Sequence, residues 1–209
     1  AIIMGVLGGD CLFPEPTHGA RGKHKLVTVG DVFKNLKSKN GVIYNHDIKL
    51  AELKNPEDRE RLKYIPEGKG IRYEEDEKNY LPKKLWFGVD WKKLRENRFR
   101  QTRLQRLSLK GPSPTILTAR TSYYHPKEAR YLTPREAAAC QSFPNDFVFH
   151  GSQTAQFRQI GNAVPPILAK ALGETVKKLK FSAVTKKKSK RDNKKITENA
   201  FHYKQSPHL

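Results

Sequence analysis

The sequence predicts a mixed α/β protein in which an apolar strand, an irregular basic region and a helical region follow one another. Ile2–Leu7 is a run of mainly apolar residues followed by two glycines, a pattern typical of a buried strand. Residues 11–110 are charged and rich in Gly, Pro and Lys, as in a loop-rich recognition surface. Residues 111–180 carry strong helix signals. Because a buried strand lies inside a sheet, we expect residues 1–10 to belong to a larger fold.

The irregular region contains two predicted helices. Thr28–Leu36 is expected to form the first, with Thr28 or Asp31 as its N-cap. The second is expected over Asn55–Tyr64. Gly68–Gly70 is interpreted as a tight basic turn, because its spacing matches no phosphate-binding loop.

Capping signals define the helices of the third region. Thr133 is predicted to be an N-cap, and Glu136 is its partner in a capping box. A second helix is predicted over Ser152–Ile160, ended by Gly161, and Pro165-Pro166 opens a third. The third helix carries apolar residues at helical spacing, which predicts one inward-facing side: Leu168, Leu172, Val176 and Leu179.

The composition favours a polyanionic partner. The 209 residues include 41 Lys and Arg against 21 Asp and Glu, a formal net charge of +20, with a mean hydropathy of -0.76. Nucleic acid is the commonest polyanion, and a solvated basic surface is the alternative. Residues 181–209 are expected to be a disordered basic tail, which either adds phosphate contacts or is a solvated end. No apolar run approaches the ~20 residues of a membrane span, so no membrane partner is predicted.

The two cysteines, Cys11 and Cys140, are far apart in the sequence. They provide neither a disulfide framework nor the ligand spacing of a zinc site. We therefore predict no metal and a cytoplasmic location, where thiols stay reduced.

Two stretches of the helical region resemble the last two motifs of cytosine-5 DNA methyltransferases. Residues 130–147, with Leu132-Thr133-Pro134-Arg135-Glu136 followed by Phe143-Pro144, resemble the ninth motif. Residues 156–166, with Gly161-Asn162-Ala163-Val164-Pro165-Pro166, resemble the tenth. Further segments match the family in its own order: Pro14–Gly19, Tyr64–Gly68, Arg106-Leu107 and Gly111–Ile116.

The resemblance implies an α/β fold, the C-terminal portion of a Rossmann-like, S-adenosylmethionine-dependent methyltransferase with a small, irregular, mixed α+β target-recognition domain. It divides the chain into a strand of the catalytic domain (1–10), the DNA target-recognition domain (11–110), the ninth-motif segment that organises that domain (111–150), the tenth-motif helices returning to the catalytic domain (151–180) and the tail (181–209).

In this family a flipped cytosine is attacked at C6 by a cysteine thiolate, and the methyl group goes to C5. The family's cofactor motif and its Pro-Cys-Gln nucleophile precede the eighth motif, and neither occurs in these 209 residues. We therefore expect a chain that is inactive alone and needs an N-terminal half or subunit. It should bind double-stranded DNA and be associated with the bacterial nucleoid. A natural split subunit, a truncated gene and a fragment all stay open. The alternative functions are a non-enzymatic DNA-binding remnant and, less favoured, a basic RNA-binding protein.

The resemblance also assigns residues. Asn162, Ala163 and Val164 are expected to line the methionine end of S-adenosylmethionine, although a plain interhelical turn would have the same sequence features. The ninth motif is expected to be mainly architectural, through Arg135, Glu136 and Gln141, with phosphate contact by the arginine as the alternative.

No catalytic residue is assigned. Ala139-Cys140-Gln141 imitates the family's Pro-Cys-Gln, but Cys140 falls inside a capped helix and is interpreted as a small core residue. DNA contacts are expected within residues 20–105, where Arg21–Lys25 and Arg95–Arg106 are the densest basic groups. The preferred candidates combine guanidinium, amide and hydroxyl groups that read base edges or hold phosphates: Arg98, Arg100, Gln101, Thr102 and Arg103.

Overall fold

The computed structural model describes residues 2–5 and 11–179, which fall into two compact units. The larger unit is residues 14–174, and the smaller one consists of the described residues on either side of that range. Short 3-10 helices accompany the regular elements, which are α1 (Val29–Phe33), α2 (Pro56–Tyr64), β1 (Ile71–Tyr73), α3 (Glu74–Tyr80), β2 (Arg98–Arg103), α4 (Pro134–Cys140), α5 (Gln153–Asn162) and α6 (Pro166–Lys178).

The strand predicted at the start of the chain is not formed over residues 2–5, and its place in the sheet of a larger catalytic domain stays a prediction. Residues 2–5 have no regular secondary structure, and Ile3 is 95% exposed. A strand needs a neighbour for its backbone hydrogen bonds, and no described residue pairs with this segment. Residues 6–10 and the predicted tail, 181–209, lie outside the described part of the chain.

The predicted helix starts are confirmed. Thr28 caps α1, and both proposed capping residues take part, because Asp31 N donates to Thr28 Oγ1 over 3.1 Å while Asp31 Oδ2 accepts from Thr28 N. Asn55 caps α2 through its side-chain oxygen, and Thr133 and Glu136 form the capping box of α4. Helix α1 ends at Phe33, three residues earlier than predicted.

Two predictions for the last helices need correction. Gly161 does not end α5, which continues to Asn162. A Cβ on this glycine would lie 2.6 Å from both the Leu117 carbonyl carbon and the Thr118 nitrogen, so the glycine permits close backbone packing. The predicted inward side of α6 is wrong at Leu168, which is 37% exposed, and at Val176, which is 43% exposed.

Two hydrophobic cores lie in the larger unit. The first, here called the aromatic core, contains Leu53, Leu62, Ile65, Ile71, Leu81, Leu85, Trp91, Phe99, Leu104 and Tyr124. The second, the helical core, contains Val29, Leu107, Ile116, Leu132, Ala137, Ala138, Phe149, Phe157 and Ile160.

The described residues are mixed α/β, with one small sheet in which β1 and β2 pair antiparallel. None of the described helices combines the length and apolarity that crossing a membrane requires.

Candidate functional site

The five predicted DNA-binding residues lie on one bulged strand, β2. Ile71 and Tyr73 of β1 lie opposite Arg103 and Arg98, and between these pairs the single residue Arg72 faces four residues of β2. Surplus residues in one strand bend it and redirect its side chains. The bulge therefore spans the middle of the predicted binding segment.

The bulge is anchored by Phe99, the first of its four residues. Phe99 is 6% exposed, and its ring centroid lies 4.6 Å from that of Trp91 in the aromatic core. Arg100 and Gln101, which follow it, are exposed, and Thr102 is half-buried. One buried ring thus holds the strand while the next side chains reach the surface.

Two clefts adjoin the bulge, and both are lined by Arg100, Gln101 and Thr102. The first has a volume of about 650 Å³ and is also lined by Arg103. The second has a volume of about 450 Å³ and is also lined by Arg72. The remaining candidate, Arg98, lines a separate cleft of about 410 Å³ together with Arg100.

The arginines of β2 differ in how firmly the protein holds them. Arg98 Nε donates to Glu96 Oε2 over 2.6 Å. The Arg103 guanidinium carbon lies 4.5 Å from the Phe99 ring centroid, a cation–π contact. Within the described part of the chain, Arg100 forms no ion pair. Its charge is therefore the most available of the three.

The predicted turn at Gly68–Gly70 supports the bulge. Gly68 has a φ of +76°, and the Lys69 N–H donates to the Pro66 carbonyl oxygen over 3.1 Å. A Cβ on Gly70 would lie 2.6 Å from Thr102 Cγ2. The turn prediction is confirmed, and the second glycine lets the chain pass closely behind β2.

Arg135, at the start of α4, is completely buried. Its Nε donates to the Tyr44 carbonyl oxygen over 3.1 Å, Nη1 donates to the Pro144 carbonyl oxygen over 3.1 Å, and Nη2 donates to the Phe147 carbonyl oxygen. One guanidinium thus joins the helix to two separate loops.

Glu136 is the partner of a second buried arginine. Arg130 Nη1 and Nη2 each donate to one carboxylate oxygen over 2.8 Å, and the Thr133 N–H donates over 2.8 Å. Burial raises the pKa of Glu136, but the hydrogen bonds and charge of Arg130 outweigh it, so the net shift is downward from 4.5. The carboxylate is therefore held in its charged form.

Gln141 connects α4 to the turn between α5 and α6. Its Nε2 donates to the Ile160 carbonyl oxygen over 3.0 Å and to the Ala163 carbonyl oxygen over 3.4 Å. Next to this anchored residue, Asn162 is exposed and Val164 is 57% exposed. The junction of α5 and α6 is therefore held from inside by Gln141, while the side chains of Asn162 and Val164 face outward.

The two cysteines have different surroundings, because Cys11 is exposed and Cys140 is partly buried. Cys140 lies at the end of α4 against the helical core, and burial raises the pKa of its thiol to about 12. Cys11 Sγ donates to the Met4 carbonyl oxygen over 3.4 Å. Within the described residues there is no cluster of His, Cys, Asp and Glu that could hold a metal ion.

Sequence reasoning missed Arg72 and Gln105, which line the second cleft. Arg72 lies in a three-residue strand and Gln105 follows β2. No local pattern marks either residue, because their positions depend on the pairing of two distant segments.

Comparison with known proteins identifies the family. Residues 12–178 match the profile of the C-5 cytosine-specific DNA methylases. The type II methyltransferase M1.HphI of Haemophilus parahaemolyticus is 34% identical over 177 residues, covering 82% of this chain and 41% of the relative. M.NgoFVII of Neisseria gonorrhoeae is 36% identical over 174 residues, 79% of this chain and 41% of the relative.

A third relative, the type II methyltransferase M.Eco47II of Escherichia coli, is 34% identical over 161 residues, covering 73% of this chain and 35% of the relative. The chain thus spans less than half the length of these relatives, while the family profile extends over most of the chain. The chain belongs to the C-5 cytosine-specific DNA methylase family.

Proposed function

We propose that this chain supplies the DNA-recognition surface and part of the S-adenosylmethionine pocket of a DNA (cytosine-5-)-methyltransferase. The observation that carries the proposal is the bulge of β2, which exposes Arg100 and Gln101 between two clefts in a member of this family. Methyl transfer to C5 of cytosine then requires a catalytic segment other than residues 1–209.

The recognition surface consists of the bulge and its two neighbours on β2. An arginine matches the acceptor edge of guanine, and an amide matches adenine, so Arg100 and Gln101 are suited to base contacts. Thr102 hydrogen-bonds to either a base or a phosphate. Arg98 and Arg103, which the protein already holds, are suited to positioning the backbone.

The cofactor-contacting residues are Asn162, Ala163 and Val164. Asn162 ends α5, and Ala163 and Val164 lie in the turn before α6, a helix whose N-terminus favours the carboxylate of the methionine end. The exposed amide of Asn162 provides donors for that carboxylate, and the exposed side chain of Val164 suits the aliphatic part. The bound cofactor would supply the methyl group.

Arg135, Glu136 and Gln141 act as structural anchors in this proposal. The first two bury their charges against protein partners, and Gln141 orients the turn that carries Ala163. Helix α4 therefore connects the structural anchors to Ala163 of the proposed cofactor site.

In this proposal, residues 1–209 do not supply the catalytic nucleophile. A thiol attacks as its thiolate, and a pKa of about 12 keeps Cys140 protonated at neutral pH. The catalytic cysteine is therefore assigned to an N-terminal half or subunit, whichever polypeptide carries it. The family's motifs for cofactor binding belong to that segment as well.

The exposed apolar residues near the start of α6 support such a partner. Ile167 is 68% exposed and Leu168 is 37% exposed, next to Val164. Exposed apolar groups of this kind are typical of interaction surfaces. In the proposed enzyme they face the catalytic half.

The relatives are type II methyltransferases, so the proposed biological setting is the modification arm of a type II restriction-modification system, acting on DNA at the bacterial nucleoid.

Reconstitution tests the proposal. The chain is mixed with the N-terminal part of M1.HphI that precedes the matched region, labelled S-adenosylmethionine and duplex DNA, and methyl incorporation is measured. Incorporation only by the mixture supports the proposal. DNA retention without incorporation, across catalytic parts from several of the relatives, favours a non-enzymatic DNA-binding remnant instead.

Two variants sharpen the reconstitution experiment. Asn162→Ala should raise the S-adenosylmethionine concentration needed for half-maximal methylation without changing DNA affinity. Arg100→Ala should weaken DNA binding without changing that concentration. If both variants alter the same parameter, the separation of the two sites is wrong.

A further inference from the structure

We propose that Arg72 binds a backbone phosphate of the recognised DNA duplex. The inference rests on the proposed function, because the ligand is part of the duplex that this function requires. It adds to the recognition surface a residue of the partner strand β1, which lies outside the candidate segment on β2.

Arg72 occupies a singular position in the sheet. It is the one residue of β1 that faces the bulge, between the pairs Ile71–Arg103 and Tyr73–Arg98. Its backbone N–H donates to Asp76 Oδ2 over 2.9 Å, which fixes the junction of β1 with α3. The backbone from which the Arg72 side chain extends is therefore fixed by this hydrogen bond.

The guanidinium of Arg72 is not committed to the protein. Its Nε is buried and has no hydrogen-bond partner among the described residues. Buried donors are nearly always paired, so an unpaired one disfavours the present side-chain orientation. In contrast, Nη1 of Arg106 donates to the Leu62 carbonyl oxygen over 2.5 Å, and Nη1 of Arg130 to Glu136 over 2.8 Å. A turn of the Arg72 side chain toward an acceptor in the cleft removes this unpaired donor.

The cleft around Arg72 offers donors without a compensating anion. Arg100, Gln101 and Ser122 line it with Arg72, and none of its lining residues is Asp or Glu. A guanidinium matches two oxygens of a phosphate in a bidentate geometry. The missing component of this cleft is therefore an anion with several acceptor oxygens.

A phosphate fits the position of Arg72 better than a base edge does. Arg100 and Gln101 are exposed on the bulge, whereas Arg72 is half-buried on the strand opposite. If the bulge enters a groove of the duplex, Arg72, which lies behind the bulge, contacts the sugar-phosphate backbone that borders this groove. Such a contact positions the duplex and carries no sequence information.

The test measures DNA affinity of the 209-residue chain against salt concentration, using a fluorescein-labelled duplex of mixed sequence. Arg72→Gln should weaken binding about 5- to 10-fold at low salt and lower the slope of log affinity against log salt by about 1. Arg72→Lys keeps the charge and should keep the slope. Arg72→Met is a second neutral variant with the same expectation as Arg72→Gln, and thermal unfolding checks that each variant folds.

Lys84→Gln is the matched control, because Lys84 is exposed and lines none of the clefts around β2. Equal affinities and slopes for Arg72→Gln and Lys84→Gln would overturn the inference. So would a loss for Arg72→Lys as large as that for Arg72→Gln with the slope unchanged, since that result indicates base reading. A wild-type chain that does not bind the duplex contradicts the proposed function itself.

Discussion

Arginines serve opposite purposes in two regions of this molecule. In the helical region, residues 111–180, Arg135 is fully buried and its guanidinium donates to backbone carbonyl oxygens. On β2, Arg100 is exposed and lines three clefts. A formal net charge of +20 therefore does not by itself locate a binding surface. Charges that are saturated by protein oxygens build the fold, and charges left without partners are available to a ligand.

The largest contrast is expected in stability. Arg135→Ala should lower the free energy of unfolding by about 3 kcal/mol or more, because three carbonyl oxygens lose their donor. Arg100→Ala should change it by less than about 0.5 kcal/mol, since this side chain is exposed. Urea unfolding followed by circular dichroism measures both values. Similar losses for the two variants would break the comparison.

The second contrast depends on pH. The pKa of Glu136 is lowered from 4.5, so its pairing with Arg130 stabilises the fold fully above that pH and less as the pH falls through the lowered value. Glu136→Gln should therefore cost about 2 kcal/mol at pH 7, and the difference from wild type should shrink below pH 4.5.

Urea unfolding at a series of pH values checks this expectation. Glu60→Gln is the control, because Glu60 pairs with Lys63 on the surface and such pairs contribute little. A Glu136→Gln deficit that stays constant down to pH 3 would show that the ion pair is not the cause.

Two glycines provide a third contrast. Gly161→Ala should destabilise the protein by about 1–3 kcal/mol, because the new methyl group meets the backbone at Leu117 and Thr118 within 2.6 Å. Gly173→Ala, on α6 with no atom within 4 Å of the new Cβ, should stabilise it by about 0.5–1 kcal/mol. Thermal unfolding of the two variants gives opposite signs if the close approach is real, and equal signs if it is not.

The sequence predicted the helical region better than the recognition strand for a physical reason. Helix starts depend on residues within one turn, so Thr28, Asn55 and Thr133 were identifiable as caps without knowledge of the tertiary structure. The β1–β2 pair joins residues about 30 positions apart, and no local signal specifies that pairing. The candidate residues of β2 were found from their charge, whereas their bulge was not.

Two errors have the same origin in non-local packing. Gly161 looked like a helix stop, but its role is set by residues about 40 positions earlier in the chain. The apolar side of α6 predicted burial, yet Leu168 and Val176 are exposed. An amphipathic pattern predicts that one face of a helix packs against another segment, but it does not identify that segment.

The smallest of the four effects concerns binding. Arg100→Ala should weaken binding to a mixed-sequence duplex about tenfold, and Lys84→Gln should leave it close to wild type. Fluorescence anisotropy at fixed salt measures both. If Arg100→Ala binds like wild type, the exposed charge of β2 is not part of the interface.

In the proposed enzyme, DNA recognition resides in this chain and the attacking cysteine resides in the catalytic part. The most direct measurement uses the reconstituted mixture and a duplex containing 5-fluorocytosine, whose fluorine blocks the elimination that releases the enzyme after methyl transfer. Mass spectrometry of the trapped peptide identifies the attached cysteine. We expect attachment to the catalytic part, both for wild type and for Cys140→Ser. Attachment of the DNA to Cys140 or Cys11 would contradict it.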